Sequence, residues 1–403
     1  MGGDHIVALT VFASYFLIII GLFAFILRSL GNWRLPQRTD RQITTCWIFA
    51  FLTLASLAHT WLHMFRFLAW SFNTYESNLP SGSPRPVLTR LTSWLIDTSL
   101  FEQAWAAVCF GPFNWWWSQQ LCLYTVGAWT VFLATKGPER RVRHVWAYML
   151  LGQLVAISVA SNLFYLALLL RAPSPVPASD GGKQPPKSTK SKPPRASVSV
   201  SPTLYAPVLL AFATIFYSPY TSVASGTFLP NLLLMHSLIF IPLVLPPSSS
   251  SLSLPKITLR TFALLLSAAS LLLHANATLR ALASLQTPDT GTPGRLSPWD
   301  LRAFGAAAWD TLQAHHPAQS SIGWDVVWTN VSFVLWTALS GESEEGMPVR
   351  KSGSHGAAPG WGRRAFMLPL ALATPLVSVG AVAPWVFSER GEFGTAEAAE
   401  KEE

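Results

Sequence analysis

The chain has 403 residues, of which half are apolar and only 12% carry a charged side chain. Soluble domains usually carry about 25% charged residues, so the composition argues against an ordinary soluble enzyme. The 18 tryptophans and 24 phenylalanines fit a membrane protein, because aromatic side chains are favoured where lipid meets water. The net charge of +8 does not indicate nucleic-acid binding, since the basic residues sit in short loops beside apolar segments.

Apolar segments of spanning length recur along the chain. A membrane helix needs about 20 apolar residues, so the sequence predicts an all-α, polytopic bundle of about 8–9 transmembrane helices in one domain over residues 1–388. The first segment is expected to be retained, because no basic region precedes it and no small-residue cleavage site follows it. The expected spans are Ile6–Leu27, Ile43–Trp70, Trp115–Thr135, Val145–Leu170, Leu204–Tyr220, Phe228–Leu245, Ile257–Leu279, Ile322–Leu339 and Ala365–Phe387.

One further apolar segment, Leu88–Phe113, contains three charged residues and can be a span, a re-entrant segment or an interfacial helix. If it does not cross, the positive-inside rule places the basic loops Arg28–Arg41 and Lys136–Arg143 in the cytosol and the linker at 172–202 outside. If it crosses, the linker lies inside and the second loop outside. The basic residues alone leave both arrangements open.

Other segments lack a spanning pattern. Residues 172–202 are rich in Pro, Ser and Lys, and this composition predicts a disordered basic linker. A polar loop is predicted over residues 341–364, and an acidic disordered tail over residues 389–403. Ser297 precedes a proline and is expected to cap an amphipathic helix on the membrane surface. The predicted apolar face of that helix consists of Trp299, Ala303, Ala306 and Leu312.

Ionisable residues inside spans are functional candidates, because a charge in a bilayer is costly. Glu102 stands in the apolar stretch Leu100–Trp105, where burial favours the neutral carboxylic acid that general acid catalysis requires. The alternatives are a helix-end carboxylate near the lipid headgroups and an ion-pair partner for Arg66.

Asp325 opens the span at 322 and is the second acidic candidate. Its alternative is a solvated first-turn carboxylate that complements the helix dipole. Trp324 and Trp328 flank it and Asn330 follows, and aromatic faces near an acid can stabilise a developing cation.

His59, His63 and Arg66 recur on one face of one helix. Two histidines at this spacing can bind a metal, and a haem would need His236 or His274 from another helix. The expectation is a polar lining without metal, because no third ligand follows locally. Trp116 lies in a run of three tryptophans, which fits an interfacial aromatic belt or a lid over a pocket. Nucleotide-binding, diphosphate-binding and serine-hydrolase motifs do not occur, so no cofactor is expected.

Three short motifs carry a resemblance. Ser99–Trp105 (SLFEQAW), Trp115–Trp117 and Gly323–Asp325 resemble the fungal membrane-bound terpene cyclases of ascochlorin and ascofuranone biosynthesis, over most of the chain apart from the linker and the polar loop. The resemblance implies an enzyme of secondary metabolism in the endoplasmic reticulum. It implies cofactor-free, non-oxidative cyclisation of a prenyl chain on an aromatic meroterpenoid, in which a protonated epoxide opens to a carbocation.

The resemblance also implies residue roles. Glu102 is the acid, and Asp325 is its partner or the terminal base. Aromatic shielding of the cation is assigned to Trp61, Trp116, Trp324 and Trp328. The expected partners are a lipophilic prenylated small molecule and the lipid bilayer, with no nucleic acid and no obligate protein partner. The alternative functions are lipid binding or transport, and a structural role without catalysis.

Overall fold

The computed structural model of the chain describes residues 3–31, 40–79, 86–171, 199–245, 257–285, 298–339 and 367–391. The predicted polar loop at 341–364, the linker up to residue 198 and the tail from residue 392 lie outside the described residues.

The first half of the described chain is helical throughout. The helix from residue 112 to residue 139 is continuous but contains a π-helical turn, Tyr124–Trp129, which divides it into α5 and α6. The helices are α1 (Gly3–Ser29), α2 (Asp40–Ser77), α3 (Val87–Asp97), α4 (Leu100–Cys109), α5 (Pro112–Leu123), α6 (Thr130–Glu139), α7 (Val145–Leu154) and α8 (Ile157–Leu170).

The second half is also helical apart from one pair of two-residue antiparallel strands, β1 (Ser199–Val200) and β2 (Ile257–Thr258). The expected last span is broken, because the chain leaves the helix at Ala373 and again at Ser378, where φ is positive. The helices are α9 (Pro202–Tyr217), α10 (Phe228–Leu238), α11 (Ile241–Val244), α12 (Leu259–Ala283), α13 (Pro298–Asp310), α14 (Pro317–Leu339), α15 (367–372), α16 (Thr374–Val377) and α17 (Val379–Gly391).

Within the described residues, four helices are long and apolar enough to cross a membrane: α1, α2, α9 with its short extension to Tyr220, and α12. They present large apolar side chains outward; Leu272 of α12, for example, is 71% exposed. This pattern indicates a multi-pass membrane protein, because exposed apolar side chains on helices of spanning length are typical of contact with lipid. In the interior, α14 packs against α2, α5 and α8.

The segment 88–113 remains at one end of the bundle. His5, at the start of α1, bonds through Nδ1 to Thr92 Oγ1 of α3 at 2.8 Å. Ser71, near the end of α2, donates to Gln103 Oε1 of α4 at 2.7 Å. Because these contacts involve the start of one long helix and the end of the next, α3 and α4 do not carry the chain across.

The expected span Val145–Leu170 is wrong as a single helix. It is a helical hairpin, because α7 and α8 are separated by only residues 155 and 156 and pack antiparallel. A Cβ atom at Gly152 would lie 2.8 Å from Ile157 Cδ1, so glycine permits the close approach at the tip. Further from the tip, the rings of Tyr148 and Phe164 lie 5.3 Å apart.

The hairpin begins and ends at the same face of the bundle. Arg171 follows α8 and donates to the carbonyl of Arg141, just after α6, at 2.6 Å, and to that of Ser29, at the end of α1, at 2.7 Å. The ends of three helices therefore meet at one face, called here the basic face, which carries Arg28, Arg141, Arg143 and Arg171. Neither arrangement expected from the sequence has this geometry, because both assumed that 145–170 crosses.

The amphipathic helix α13 forms, but its buried face differs from the predicted one. Ala308 and Leu312 are buried and Phe304 is half-buried, whereas Ala303 and Ala306 are exposed. The face is rotated because the ring of Phe304 packs against the rings of Phe113 and Trp116 of α5, each 5.2 Å away. The side chain of the remaining predicted member, Trp299, lies outside the described residues.

Candidate functional site

Asp325 holds the tip of the α7–α8 hairpin. Its Oδ2 accepts the backbone N–H of Ile157 and its Oδ1 accepts that of Ser158, both at 2.8 Å. The side chain is buried, with 3% of its surface exposed. The carboxylate therefore occupies the N-terminus of α8, where the first backbone N–H groups lack partners in their own helix and the helix dipole favours a negative charge.

The expectation of a solvated first-turn carboxylate at Asp325 is wrong on two points. Its helix begins at Pro317, so residue 325 lies in the third turn, and the carboxylate is buried. The dipole that it complements belongs to another helix, α8. Within the described residues no basic side chain forms an ion pair with it, so the α8 backbone supplies its compensating dipole.

The other side of the hairpin tip is capped by α1. The hydroxyl of Tyr15 donates to the carbonyl of Leu154, the last residue of α7, at 2.6 Å. Unpaired backbone groups are costly in lipid, and Tyr15 and Asp325 together satisfy groups on both arms of the hairpin. Sequence reasoning missed Tyr15, because a tyrosine in an apolar span gives no sign of its partner.

Three of the predicted substrate-binding residues meet between α2 and α14. The indole N–H of Trp328 donates to His59 Nδ1 at 3.2 Å, and the ring of Trp324 lies 4.3 Å from that of His59. His63 extends the group one turn along α2, with its ring 5.5 Å from His59. These four residues are called the His–Trp cluster. It combines aromatic faces with imidazole nitrogens, which can contact both a cation and a polar group.

Trp61 stands apart from the His–Trp cluster in its ring contacts, whereas the charge of Arg66 acts on both histidines of the cluster, His59 and His63. The ring of Trp61 packs against Phe16 and Phe65, with centroids 6.2 and 5.5 Å away. The Arg66 side chain is exposed and makes no ion pair with Glu102. Trp61 lies on the same helix as His59 but only two positions further along, so its side chain points in a different direction and does not reach the cluster.

Trp116 and Asn330 also contact other parts of the bundle. The indole N–H of Trp116 donates to Thr278 Oγ1 of α12 at 3.0 Å, and its ring lies 5.7 Å from that of His274. The amide of Asn330 donates to Val326 O of its own helix at 2.8 Å. Within the described residues, no hydrogen bond or ring contact joins either residue to the His–Trp cluster.

Glu102 lies in the first turn of α4 and is half-buried. Within the described residues its carboxyl group has no hydrogen-bond or ion-pair partner, although the next residue, Gln103, is tied to α2 through Ser71. Helix α4 packs against both α5 and α14. The position in a first turn matches the helix-end alternative, whereas the missing partner leaves the carboxyl group available to a ligand.

No group of three His, Cys, Asp or Glu side chains in the described part of the chain stands close enough to hold a metal ion. A groove of about 280 Å³ lies between α9 and α10 and is lined by none of the predicted site residues. Comparisons of the chain with protein-family models, curated proteins and solved structures find no match.

Proposed function

We propose that this chain is a membrane enzyme that cyclises a prenylated aromatic compound by acid-catalysed opening of a terminal epoxide. The observation that carries the proposal is the half-buried, unpartnered carboxyl group of Glu102. Glu102 belongs to α4, and α4 packs against α14, the helix that bears Trp324 and Trp328. A carboxylic acid without a competing partner can donate its proton to a bound substrate.

The proposed reaction needs neither oxidant nor reductant. Glu102 donates a proton to the epoxide oxygen, the carbon–oxygen bond breaks, and a carbocation and a hydroxyl group form. A double bond of the prenyl chain attacks the cation and a carbon–carbon bond forms. The cyclised cation then loses a proton to water and gives a product of unchanged mass, and the hydronium ion so formed returns the proton to the Glu102 carboxylate.

The His–Trp cluster supplies the environment that such a cation needs. The faces of Trp324 and Trp328 are attractive to positive charge, by about 0.5–2 kcal/mol for each ring. The hydrogen bond from Trp328 to His59 fixes the orientation of the second ring. Since both oxygens of Asp325 accept backbone N–H groups, we assign this residue to holding the hairpin rather than to removing the final proton.

The basic face supports an orientation. Short loops rich in arginine remain in the cytosol, and the ends of α1, α6 and α8, which carry Arg28, Arg141 and Arg171, meet at this face. We therefore propose that the basic face is cytosolic, in the membrane of the endoplasmic reticulum.

The test is product formation in microsomes that carry the wild-type chain or Glu102→Gln, supplied with an epoxyfarnesyl-substituted phenol. The wild type should form a chromatographically distinct isomer, and Glu102→Gln should form none while reaching the same protein level. Asp310→Asn is the control, because Asp310 is an exposed carboxylate at the end of α13. An isomer formed equally by Glu102→Gln would remove Glu102 from the reaction.

A second candidate function, transport or binding of a lipophilic molecule, is favoured by the α7–α8 hairpin. Half-helices that end inside the membrane form the substrate sites of many transporters, and irregular backbone at that depth is tolerated when protein groups satisfy it. Protein-dependent movement of the unchanged phenol between the leaflets of a vesicle, with no isomer formed, would favour this candidate over catalysis.

A further inference from the structure

A row of polar side chains lies between α8 and α14, deeper in the bundle than the His–Trp cluster. Ser158 and Asn162 of α8 and Ser332 of α14 each expose 0% of their surface, and Thr329 of α14 exposes 1%. The hydroxyl groups of Thr329 and Ser332 and both amide atoms of Asn162 have no hydrogen-bond partner among the described residues, whereas the Ser158 hydroxyl faces the Asp325 carboxylate. These four residues are called the polar seam.

Two contacts fix the register of the seam. At one end, Asp325 of α14 binds the backbone of Ser158 at the start of α8. At the other end, the rings of Trp336 of α14 and Tyr165 of α8 stack 4.5 Å apart. The two helices therefore run in the same direction between these contacts, and Thr329 and Asn162 lie in the stretch that the contacts enclose.

The spacing places the seam residues on the faces that meet. Thr329, Ser332 and Trp336 follow Asp325 at intervals of four, seven and eleven residues, which form one stripe of a helix. Ser158, Asn162 and Tyr165 share a stripe of α8 for the same reason. Helix α2 packs against both α8 and α14, so the seam is covered by a third helix.

The seam has a closed end and an aromatic end. Phe49 of α2 lies 5.4 Å from Tyr165 and 5.8 Å from Trp336, which closes the seam on the side of the basic face. In the other direction α2 brings His59 to Trp328, which lies four residues before Ser332 and therefore on the same face of α14. The polar seam is thus continuous with the His–Trp cluster along one side of α14.

Unpaired polar groups in a protein interior are costly, and several in one place call for a hydrogen-bonding occupant. Asn162 offers donors and acceptors, and the three hydroxyl groups can do either. No charged side chain belongs to the seam, and the Asp325 carboxylate at its end is already bonded. The complementary ligand is therefore neutral and carries oxygen atoms that both donate and accept.

We propose that the polar seam binds the hydroxyl- or carbonyl-bearing end of a lipophilic aromatic ligand, while the apolar chain of that ligand extends past the His–Trp cluster. The inference rests on the proposed function for the class of ligand and adds the residues that select it. Asn162 and Thr329 are the specificity-determining residues. A compound of the same shape without oxygen leaves their polar groups unpaired and binds less tightly.

The test measures binding, without turnover, on the full chain in lipid nanodiscs. The probes are a farnesyl-substituted phenol and farnesylbenzene, which lacks the hydroxyl group. Wild-type protein should bind the phenol about tenfold more tightly for each hydrogen bond that the hydroxyl group forms. Thr329→Val and Asn162→Leu should each lower this preference for the phenol by about tenfold.

Thr53→Val is the matched control, because the buried Thr53 hydroxyl donates to Phe49 O of its own helix at 2.8 Å. It should keep the preference for the phenol. Equal binding of the two probes by the wild type, or an undiminished preference in Thr329→Val, would overturn the inference. A lower unfolding temperature in Asn162→Leu with an unchanged preference would assign the seam to bound water and also overturn it.

The outcomes separate this inference from the proposed function. A preference for the phenol that depends on Thr329, with no isomer formed from the epoxide, would retain the binding site and reject the cyclase. Isomer formation without any such preference would retain the cyclase and reject the seam as the ligand site.

Discussion

Replacing Asp325 by asparagine tests the role of this residue at the hairpin tip. The carboxylate accepts two backbone N–H groups, one on each oxygen. Asparagine has nearly the same shape but offers one oxygen acceptor and an NH2 group, so one of the two N–H groups at the start of α8 would face another donor.

The size of the effect follows from the two contacts. A hydrogen bond to a charged group contributes about 1.5–3 kcal/mol, and a buried donor left unpaired costs about 1–3 kcal/mol. Asp325→Asn retains one contact in weaker form and loses the other, so the free energy of unfolding should fall by about 2–4 kcal/mol. Local opening of the hairpin should become more frequent, because the cap acts on the first turn of α8.

The assay combines unfolding in detergent with hydrogen exchange of the amides at 157–160. Asp325→Asn should lower stability and speed exchange at these amides more than elsewhere. Asp310→Asn is the control, because Asp310 is exposed at the end of α13. Its effect should remain within about 0.5 kcal/mol.

Wild-type stability in Asp325→Asn, with unchanged exchange at residues 157–160, would refute the structural assignment. A loss of product formation in the same variant would then point to a direct part for Asp325 in the chemistry, as the resemblance to the terpene cyclases implies.

Two further predictions concern packing and the aromatic cluster. A Cβ atom at Gly380 would lie 2.9 Å from the backbone of Leu123, so Gly380→Ala should lower the free energy of unfolding by about 1–3 kcal/mol. The control is Gly21→Ala, which should leave this free energy unchanged because nothing lies within 4 Å of a Cβ atom there. Equal stabilities of the two variants would refute the close approach at Gly380. Trp328→Phe keeps a ring but loses the N–H donated to His59, so we expect it to retain most product formation, while Trp328→Leu should lose about two- to thirtyfold through the missing cation–π contact. The same product yield from both variants would exclude that ring from cation stabilisation.

The membrane class could be predicted from the sequence, because a low charge content and long apolar runs have few other physical explanations. The α7–α8 hairpin could not. Residues 154–156 are Leu, Val and Ala, and nothing in this run marks a break in a helix. The break is stable because Tyr15 and Asp325 satisfy the backbone groups at its tip, and neither partner is near it in sequence.

For the candidate site, the sequence could predict which residues share a face of one helix, but not which faces of different helices meet. The spacing of His59 and His63 on α2, and of Trp324 and Trp328 on α14, placed each pair on one face. That these two faces meet is a property of tertiary packing. Asn162 was visible as an amide in an otherwise apolar run, but its importance depends on the absence of a hydrogen-bond partner.

The most direct test of the central claim is the mass of the product formed by the purified chain in nanodiscs from an epoxyfarnesyl-substituted phenol. Acid-catalysed cyclisation predicts a new compound of unchanged mass, formed without any added cofactor. A product heavier by one water molecule would show that the epoxide is hydrolysed instead. Unchanged substrate from folded, phenol-binding protein would contradict catalysis and leave binding or transport as the function.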